Sequence, residues 1–341
     1  MQLSHLHITH FKRLAELSLS FMAEDNRPRP ITLILGDNGS GKTTLLQAIA
    51  LVLGLATRKL NAPGDLRWPG FLPERMSTRG ATRIELGVVF DTAELETTRD
   101  LYTHWAQRAR PELANSIAAP SALPRVTLAY QDGALSCAEG PQAMSQFLGR
   151  YFIKYLIRTD PALRRRFLDL GDVFWFDQNR NLASMEDLRA FLVSWWSYHV
   201  SPRRPDGIDF LGQLEGHLVK VFPGARFVGT QPMSFEGTAE PTSYVLLERD
   251  GLTYDIAEMS SGEQAVLPIL YEFVRQSVAR SVVLLDELEL HLHPPEQQAL
   301  LAALRKIGPD CQFFVTTHSP YLESVTPPEE EVRLEGGQRC L

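Results

Sequence analysis

The chain has 341 residues, 44% of them apolar, and a formal net charge of −7. This length supports a large hydrophobic core, in one elaborated domain or in two closely joined lobes. The negative charge excludes a global attraction to nucleic acid, and the absence of a run of about eighteen apolar residues excludes a membrane-spanning helix. The three cysteines lie far apart and fit neither a metal site nor a disulfide framework, so we expect a protein of the reducing cytoplasm.

The N-terminal part of the chain predicts a hairpin, a buried strand and a helix. LHITHF (6–11) and LSLSF (17–21) alternate in polarity, with KRLAE as the turn between them. The apolar run ITLIL (31–35) is typical of a strand buried on both faces. A helix is predicted from about Gly41 to Leu53, ending at Gly54, and residues 55–82 are predicted to be a long surface loop.

The rest of the chain predicts alternating strands and helices. The predicted elements are strands at 82–90 and 125–130, helices within 141–170, a strand at 172–176, a helical stretch at 183–225, a hairpin around Asp250–Gly251, a helix at 262–280, a strand at 281–286, a helix at 294–306 and a strand at 312–317. This alternation predicts an α/β fold with a mostly parallel sheet covered by helices.

The strongest motif is GDNGSGKT (Gly36–Thr43), which matches the G-x-x-x-x-G-K-[ST] phosphate-binding pattern. A buried strand enters the motif and a helix leaves it, so its backbone N–H groups and the helix N-terminus are predicted to hold the phosphates of ATP. The predicted contacts include Lys42 on the β- and γ-phosphates and Thr43 on Mg²⁺. The predicted nucleotide-binding residues of this segment are Asn38, Gly39, Ser40, Gly41, Lys42, Thr43 and Thr44.

An acidic pair, Asp286 and Glu287, follows the predicted strand at 281–286. We expect this strand to lie beside the phosphate-loop strand, so that Asp286 holds Mg²⁺. Glu287 is then placed to deprotonate the attacking water.

Three histidines occur near these elements. His318 stands at the tip of the last predicted strand and is expected to hydrogen-bond a γ-phosphate, with a structural capping role as the alternative. His291 and His293 have a spacing that suits a metal site, but a helix start at Pro294 and the lack of a third ligand favour a structural role.

Two basic runs, RRRF (164–167) and PRRP (202–205), leave nucleic acid open as a partner. The simpler interpretation is a pair of solvated helix ends and turns. A DNA-tracking patch is the alternative, since affinity there comes from clustered phosphate contacts.

A second candidate anion site is MSSGEQ (Met259–Gln264), which opens a predicted helix. Ser260 with Glu263, or Ser261 with Gln264, can form a capping box. Capping does not explain Gly262 in the first turn, where a bare backbone favours the close approach of an anion.

This segment resembles the signature motif of ABC-type ATPases, especially that of the SMC/RecF/OLD-like branch. The resemblance implies two heads that face each other, in which Ser260, Gly262 and Glu263 of one head cap the γ-phosphate held by the other. It further implies that Gln178, in FWFDQNR, couples Mg²⁺ and water to a helical lobe, and that Lys12, with Arg13 adjacent, leans toward the nucleotide.

The resemblance covers the whole chain as a single head, residues 1–341. The implied core is 1–54, 171–182 and 250–341, with insertions at 55–170 and 183–249 that match no motif. The fold class it implies is an α/β P-loop NTPase with a mostly parallel sheet, an antiparallel β subdomain and a helical lobe. One departure from the transporter pattern is the segment ELHLHPP, where His293 replaces the usual aspartate. This segment resembles the glutamate–Leu-His-Pro variant of bacterial-defence ATPases.

The function implied by the resemblance is ATP hydrolysis coupled to head-to-tail homodimerisation. Glu287, Lys42, His318 and Gln178 are the expected catalytic residues, and Thr43, Gln178 and Asp286 are the expected Mg²⁺ ligands. No effector domain is recognised, so an effector in trans, such as a nuclease or toxin of anti-phage defence, or DNA repair machinery, is expected. The alternatives are the nucleotide-binding subunit of a transporter and a non-hydrolysing ATP-dependent scaffold.

Overall fold

The structure is a computed structural model of the chain. It describes residues 1–78, 80–180, 185–202, 208–233 and 243–334. They form two compact units. The first unit comprises Met1–Gln178, Val278–Leu288 and Gly308–Leu341, and the second comprises Asn179–Ser277 and Glu289–Ile307. The division into a core and two insertions at 55–170 and 183–249 stays a prediction.

The strands are β1 (Gln2–Phe11), β2 (Leu14–Ser20), β3 (Ile31–Leu35), β4 (Arg83–Val89), β5 (Arg125–Gln131), β6 (Ala134–Cys137), β7 (Val173–Phe176), β8 (Arg226–Pro232), β9 (Ser243–Arg249), β10 (Leu252–Asp255), β11 (Val282–Leu285), β12 (Gln312–Thr316) and β13 (Glu331–Arg333). The α-helices are α1 (Lys42–Ala56), α2 (Thr92–Arg108), α3 (Pro111–Asn115), α4 (Pro141–Met144), α5 (Gly149–Leu156), α6 (Met185–His199), α7 (Phe210–Val221), α8 (Ser261–Arg275), α9 (Pro294–Ile307) and α10 (Pro320–Glu323).

The first unit contains an antiparallel sheet in the order β2-β1-β4-β5-β6. The predicted N-terminal hairpin is confirmed, but its turn is shorter than expected because Phe11 already pairs with Leu14. Lys12 makes this tight turn with a left-handed backbone, at φ 54°. The turn therefore projects two basic side chains, Lys12 and Arg13, from one edge of the sheet.

The first unit also contains a parallel sheet in the order β13-β3-β12-β11-β7, which confirms the predicted α/β class. All five residues of β3 are buried, as its apolar run predicts. The expectation that β11 lies beside β3 is wrong, because β12 pairs with both strands and separates them. The carboxyl ends of these strands meet at one edge, where the predicted site residues follow them.

Helix α1 continues past its predicted end at Gly54 and stops at Ala56. Gly54 is a packing residue, because a Cβ added there would lie 2.7 Å from Cδ1 of Leu60. The glycine thus allows the chain after the helix to fold back against it, which explains why a helix-breaking residue occurs in a helix interior.

The prediction of a surface loop at 55–82 is wrong in part. The segment contains two short 3₁₀ turns, at Pro63–Asp65 and Pro73–Arg75, rather than longer helices or strands. However, Trp68, Phe71 and Met76 are buried in the main hydrophobic core of the first unit. Three large apolar side chains of this kind anchor the segment to the body of the unit.

The remaining helices of the first unit include α2, which is not among the elements predicted from the sequence. Asp91 caps α2 by accepting a hydrogen bond from the backbone N–H of Glu94, an N-cap signal that the sequence did contain. Trp105 of α2 and Phe152 of α5 are fully buried in a second hydrophobic cluster, with ring centroids 4.9 Å apart.

The described residues of the second unit form helices α6 to α9 and the antiparallel sheet β10-β9-β8. The predicted hairpin at Asp250–Gly251 is confirmed, with both turn residues at positive φ. Helix α8 ends at Arg275 rather than at 280, since Ser277 adopts a left-handed conformation that a helix cannot continue. In the described part of the chain, no helix has the length and apolar character needed to cross a bilayer.

Candidate functional site

The phosphate loop, Gly36–Thr43, joins β3 to α1 in the first unit. Gly36, Gly39 and Gly41 have φ values of 148°, 82° and 103°, which L side chains rarely adopt. At Gly36 a Cβ would also lie 2.6 Å from the carbonyl oxygen of Leu334. Helix α1 has no side-chain cap and no acidic residue in its first turn, so its N–H groups are open to an anion.

Lys42 lies over this loop. Its side chain is only 7% exposed, and Nζ donates hydrogen bonds to the carbonyl oxygens of Gly36 (2.6 Å) and Asp37 (3.1 Å). The positive charge is therefore held at the same place as the uncapped helix N-terminus. Both features favour a phosphate group there.

Below the loop, the carboxylate of Asp286 accepts hydrogen bonds from the hydroxyl groups of two elements. Thr43 Oγ1 lies 3.1 Å from Oδ1 and 3.0 Å from Oδ2 of Asp286, and Thr316 Oγ1 donates to Oδ1 at 2.6 Å. Asp286 is 1% exposed, so its oxygens are fixed in position. A hydroxyl and a carboxylate that converge in this way form a set of hard oxygen donors that fits Mg²⁺.

Glu287 has an unusual backbone for a residue with a side chain, at φ 50°. Its N–H donates to Thr316 Oγ1 at 2.8 Å, which holds this conformation. A left-handed backbone at a residue other than glycine costs on the order of 1 kcal/mol of stability, and such residues are concentrated at functional sites. The side chain lines the same cavity as the phosphate loop.

A cavity of about 570 Å³ in the first unit brings most of the predicted residues together. The predicted residues that line it are Lys12, Asn38, Gly39, Gly41, Lys42, Thr43, Thr44, Gln178 and Glu287. Gln178 enters from the chain that follows β7. Two other predicted residues, Ser40 and Asp286, are buried next to the lining residues in the sequence.

Lys12 reaches the cavity from the β1–β2 turn. Its Nζ donates to Oε1 of Gln47 (2.6 Å) and to the carbonyl oxygen of Gly70 (2.8 Å). Burial, together with the nearby charge of Arg13, lowers the pKa of Lys12. The ammonium thus joins the hairpin turn to α1 and to the segment after it.

His318 follows β12 at the same edge of the parallel sheet. Its side chain is exposed, and it is not among the described residues that line the cavity. Its expected contact with a γ-phosphate stays a prediction.

The signature segment, Met259–Gln264, lies in the second unit. Ser260 is the N-cap of α8, and its Oγ lies 2.8 Å from Oε2 of Glu263, which also accepts from the N–H of Ser260 at 2.9 Å. Oε1 of Glu263 accepts from Tyr254 Oη (2.8 Å) and Arg249 Nη1 (3.1 Å). Burial acts to raise the pKa of Glu263, but these hydrogen bonds outweigh it and lower that pKa. The capping box is therefore present, and Glu263 positions Ser260.

The interpretation of Gly262 as bare backbone for an anion needs correction. Gly262 is buried, and an added Cβ would lie 2.8 Å from Oε2 of Glu296 and 3.2 Å from the carbonyl oxygen of His291. The glycine is required by the close approach of the chain at the start of α9. Ser260 and Ser261, in contrast, are exposed.

The two spaced histidines have a structural explanation. His291 makes a left-handed turn, at φ 66°, and the N–H of His293 donates to Glu296 at the start of α9. Within the described ranges, no group of three His, Cys, Asp or Glu residues is arranged to hold a metal ion. The backbone of both residues thus serves the turn into α9, in agreement with the predicted structural role.

Several cavity residues were missed by the sequence reasoning. Gln47 of α1 and five residues of the 69–78 segment line the cavity, and Thr316 fixes Asp286 and Glu287. The hydroxyl at the end of β12 was a detectable signal, since polar residues at the carboxyl ends of parallel strands often serve a site. The role of the 69–78 segment depends on tertiary contacts that no local pattern announces.

Comparisons with known proteins agree with this geometry. Residues 168–324 match the family model described as "AAA domain, putative AbiEii toxin, Type IV TA system", and residues 5–109 match a second model described as "AAA domain". The chain is 27% identical to the Retron Ec83 probable ATPase of Escherichia coli, over 99% of this chain and 72% of that protein. It is 26% identical to the OLD nuclease of Thermus scotoductus, over 95% of this chain and 60% of that protein.

Among solved structures, an Smc head bound to the C-winged helix domain of ScpA has the same fold. The TM-score is 0.54 at 14% identity, and the match covers 95% of this chain and 91% of that chain. The matches agree with the resemblance seen in the sequence: the chain has the P-loop ATPase fold of an Smc head. Its sequence is similar to AAA domains and to ATPases of the SMC/RecF/OLD-like branch.

Proposed function

We propose that the protein binds ATP with Mg²⁺ in the cavity of the first unit and hydrolyses it to ADP and phosphate. The observation that carries this proposal is the arrangement of Thr43, Asp286 and Glu287. A hydroxyl and a carboxylate lie within 3.1 Å of each other beneath the phosphate loop, and a left-handed backbone directs Glu287 to the same cavity.

The proposed roles follow from the position of each group. The loop N–H groups and Lys42 bind the phosphates and neutralise the charge that develops on the leaving oxygens. Glu287 accepts a proton from the attacking water, and Gln178 orients that water from the end of the neighbouring strand β7. Lys12 adds positive charge to the lining of the cavity.

The residues present fit a magnesium ion. Thr43 and Asp286 would hold it, together with the amide oxygen of Gln178, because all three offer hard oxygen donors. When bound, Mg²⁺ would supply Lewis-acid stabilisation of the phosphate oxygens.

We propose further that a second copy of the chain completes the site. Ser260 is exposed at the N-terminus of α8, a helix of 15 residues, and Glu263 fixes its orientation. A serine hydroxyl at a helix N-terminus can donate to a γ-phosphate. The ATP-bound homodimer would then part after hydrolysis, which couples nucleotide state to conformation.

The proposed biological role is control of an effector in trans, such as a nuclease or toxin, in anti-phage defence or DNA repair in the cytoplasm. It is supported by the motif resemblance and by relatives named as a retron probable ATPase and an OLD nuclease. Co-purification with a nuclease or toxin from the native host would support this role. Co-purification with a membrane permease would favour a transporter subunit instead.

The ATPase proposal is tested with Glu287→Gln. We expect turnover, measured as phosphate release, to fall about 100- to 10,000-fold, because general-base catalysis contributes that much. ATP affinity should stay close to that of the wild type, and sizing with saturating ATP and Mg²⁺ should show a trapped dimer.

The matched control is Glu329→Gln, which changes an exposed carboxylate outside the cavity and should leave turnover unchanged. Removal of Mg²⁺ with EDTA should abolish turnover in the wild type. Unchanged turnover in Glu287→Gln would show that Glu287 is not the general base. ATP binding without phosphate release in the wild type would instead favour the non-hydrolysing scaffold.

A further inference from the structure

The segment after α1, residues 66–78, forms one wall of the cavity and is called the wall segment here. Its large apolar residues Trp68, Phe71 and Met76 are 5–7% exposed and pack into the core of the first unit. Between these anchors, other residues of the segment stay exposed and line the cavity. The wall segment is thus anchored in the core by its apolar residues and exposes other residues to the cavity.

Three of the exposed residues of the wall segment, spaced three apart, line the cavity. Leu72, Arg75 and Thr78 all line the cavity, and Pro73–Arg75 forms a 3₁₀ turn. Leu72 is the N-cap residue of this turn and Arg75 is its last residue, so the turn brings both to the cavity. Leu72 is 48% exposed, so it presents an apolar surface to the cavity.

Hydrogen bonds hold the wall segment at a fixed place beside the phosphate loop. The N–H of Lys12 donates to the carbonyl oxygen of Met76 at 2.8 Å, and Lys12 Nζ donates to the carbonyl oxygen of Gly70 at 2.8 Å. Thr82 Oγ1 also donates to Met76 O, at 3.2 Å. The wall is therefore preformed, a condition for a binding surface that loses little entropy when a ligand docks.

Two groups of cavity residues differ in chemistry. Glu287, Gln178 and Thr43 line the cavity, and the Thr43 hydroxyl contacts the Asp286 carboxylate to offer metal ligands, so we assign the γ-phosphate to this group. Lys12 contacts Gly70 of the wall segment and Gln47 of α1, and we assign the nucleoside to this second group. An apolar side chain and a planar guanidinium suit the face of a flat ring, because arginine stacks on aromatic rings.

We propose that Leu72, Arg75 and Thr78 form a platform that binds the nucleobase by its face and does not read its edge. This inference rests on the ATP site proposed above. The neighbouring amide of Gln47 is already engaged, with Oε1 accepting from Lys12 and Nε2 donating to the carbonyl oxygen of Pro69 at 3.4 Å. Strong discrimination between bases requires buried polar groups that only one base satisfies, and the platform side chains are exposed. The platform therefore accepts ATP and GTP with similar affinity.

The test is a competition assay on the full chain with Mg²⁺. ATP, GTP and inorganic tripolyphosphate displace an ATP analogue that carries a fluorescent group on its ribose. We expect ATP and GTP to differ by less than about tenfold in affinity, and both to bind more tightly than tripolyphosphate.

Variants separate the platform from the phosphate loop. Arg75→Ala should weaken ATP binding about tenfold and leave tripolyphosphate binding unchanged, since stacking on one residue is worth about that much. Arg75→Lys, which keeps the charge but loses the planar group, should weaken ATP binding to a similar degree. Glu74→Ala is the matched control on the same turn, because Glu74 is exposed but does not line the cavity, and it should change neither ligand.

Two results would overturn the platform. One is wild-type ATP affinity in both Arg75→Ala and Leu72→Ala, with folding verified by circular dichroism. The other is a preference for ATP over GTP of more than about 100-fold, which would require edge recognition. If the wild-type chain bound neither ATP nor tripolyphosphate, the ATP site itself would be refuted, and this outcome differs from the loss of the platform alone.

Discussion

Helices α1 and α8 both begin at a segment that contains glycine and serine, but the charges around their N-termini are opposite. Helix α1 opens with an uncapped N-terminus, no acid in its first turn, and Lys42 over the preceding loop. Helix α8 opens with a capped N-terminus and a buried carboxylate, Glu263, in its first turn. The first can therefore attract a phosphate alone, whereas the second offers a positioned serine whose helix end is already partly neutralised.

The glycines of the two segments also differ in what they serve. Gly36 combines a left-handed backbone with a close backbone contact, so the shape of the phosphate loop depends on it. Gly262 makes room for the start of α9 within the second unit. A similar pattern of small residues thus arises from two different physical needs.

The largest expected difference between the two helix starts concerns nucleotide affinity. Lys42→Ala should weaken ATP binding about 100-fold, since a charge-assisted contact to phosphate is worth up to about 3 kcal/mol. Ser260→Ala should leave the affinity of dilute, monomeric protein within about twofold of the wild type. Isothermal titration calorimetry with ATP and Mg²⁺ measures both.

Lys306→Ala, which removes an exposed lysine of α9, is the control for net charge in that experiment. Normal ATP binding in Lys42→Ala would contradict the assignment of the phosphate loop. A large loss in monomeric Ser260→Ala would show that the α8 end also contributes to binding within one copy.

The two glycines should differ in their effect on stability. Gly36→Ala places a Cβ 2.6 Å from a backbone oxygen at φ 148°, and we expect the free energy of unfolding to fall by about 2 kcal/mol or more. Gly262→Ala meets the end of the Glu296 side chain at 2.8 Å, which can move, so a loss of about 1 kcal/mol is expected. Urea unfolding measures both changes.

Gly64→Ala is the matched control for the glycine pair, because a Cβ there has no neighbour within 4 Å. Equal effects at Gly36 and Gly262 would remove the proposed distinction. A neutral Gly36→Ala that still binds ATP would mean that the loop geometry tolerates a side chain.

The smallest expected effect is the pH dependence of the α8 cap. Hydrogen bonds lower the pKa of Glu263 in the folded protein below its ordinary value of 4.5. The carboxylate therefore contributes stability that is fully present above pH 4.5 and is lost as the pH falls through the folded pKa. Glu263→Gln should be less stable than the wild type at pH 7, by about 1 kcal/mol, and this difference should shrink on acidification.

Urea unfolding of the wild type and Glu263→Gln between neutral and acidic pH tests this prediction. Glu329→Gln, at an exposed carboxylate, should show no comparable change. A stability difference that grows as the pH falls would mean that Glu263 is not held as the charged acceptor of this cap.

The sequence was most informative where local pattern and chemistry coincide. The phosphate loop, the Asp286–Glu287 pair and Gln178 each follow a strand, and their placement at one edge of a parallel sheet was predictable from that fact. The parallel α/β class followed from strand–helix alternation in the last third of the chain. Strand adjacency did not, because β12 separates β3 from β11 through pairing that is set by tertiary packing.

Other parts of the site depend on contacts between distant residues. The wall segment looked like a polar loop because its composition is rich in Pro, Gly and Arg, yet Trp68, Phe71 and Met76 bury it against the core. The tie from Lys12 to Gly70 spans 58 positions of sequence. No periodicity or turn signal encodes such a contact, so this side of the cavity emerged only from the three-dimensional arrangement.

The central claim is that each active centre combines the phosphate loop of one copy with Ser260 of another, and a mixing experiment tests it most directly. Lys42→Ala and Ser260→Ala are each expected to be inactive alone. In a 1:1 mixture, half of the dimers are mixed and each has one complete centre, so phosphate release should reach about a quarter of the wild-type rate. A mixture that stays as inactive as its components, while both variants remain folded, would contradict the shared site.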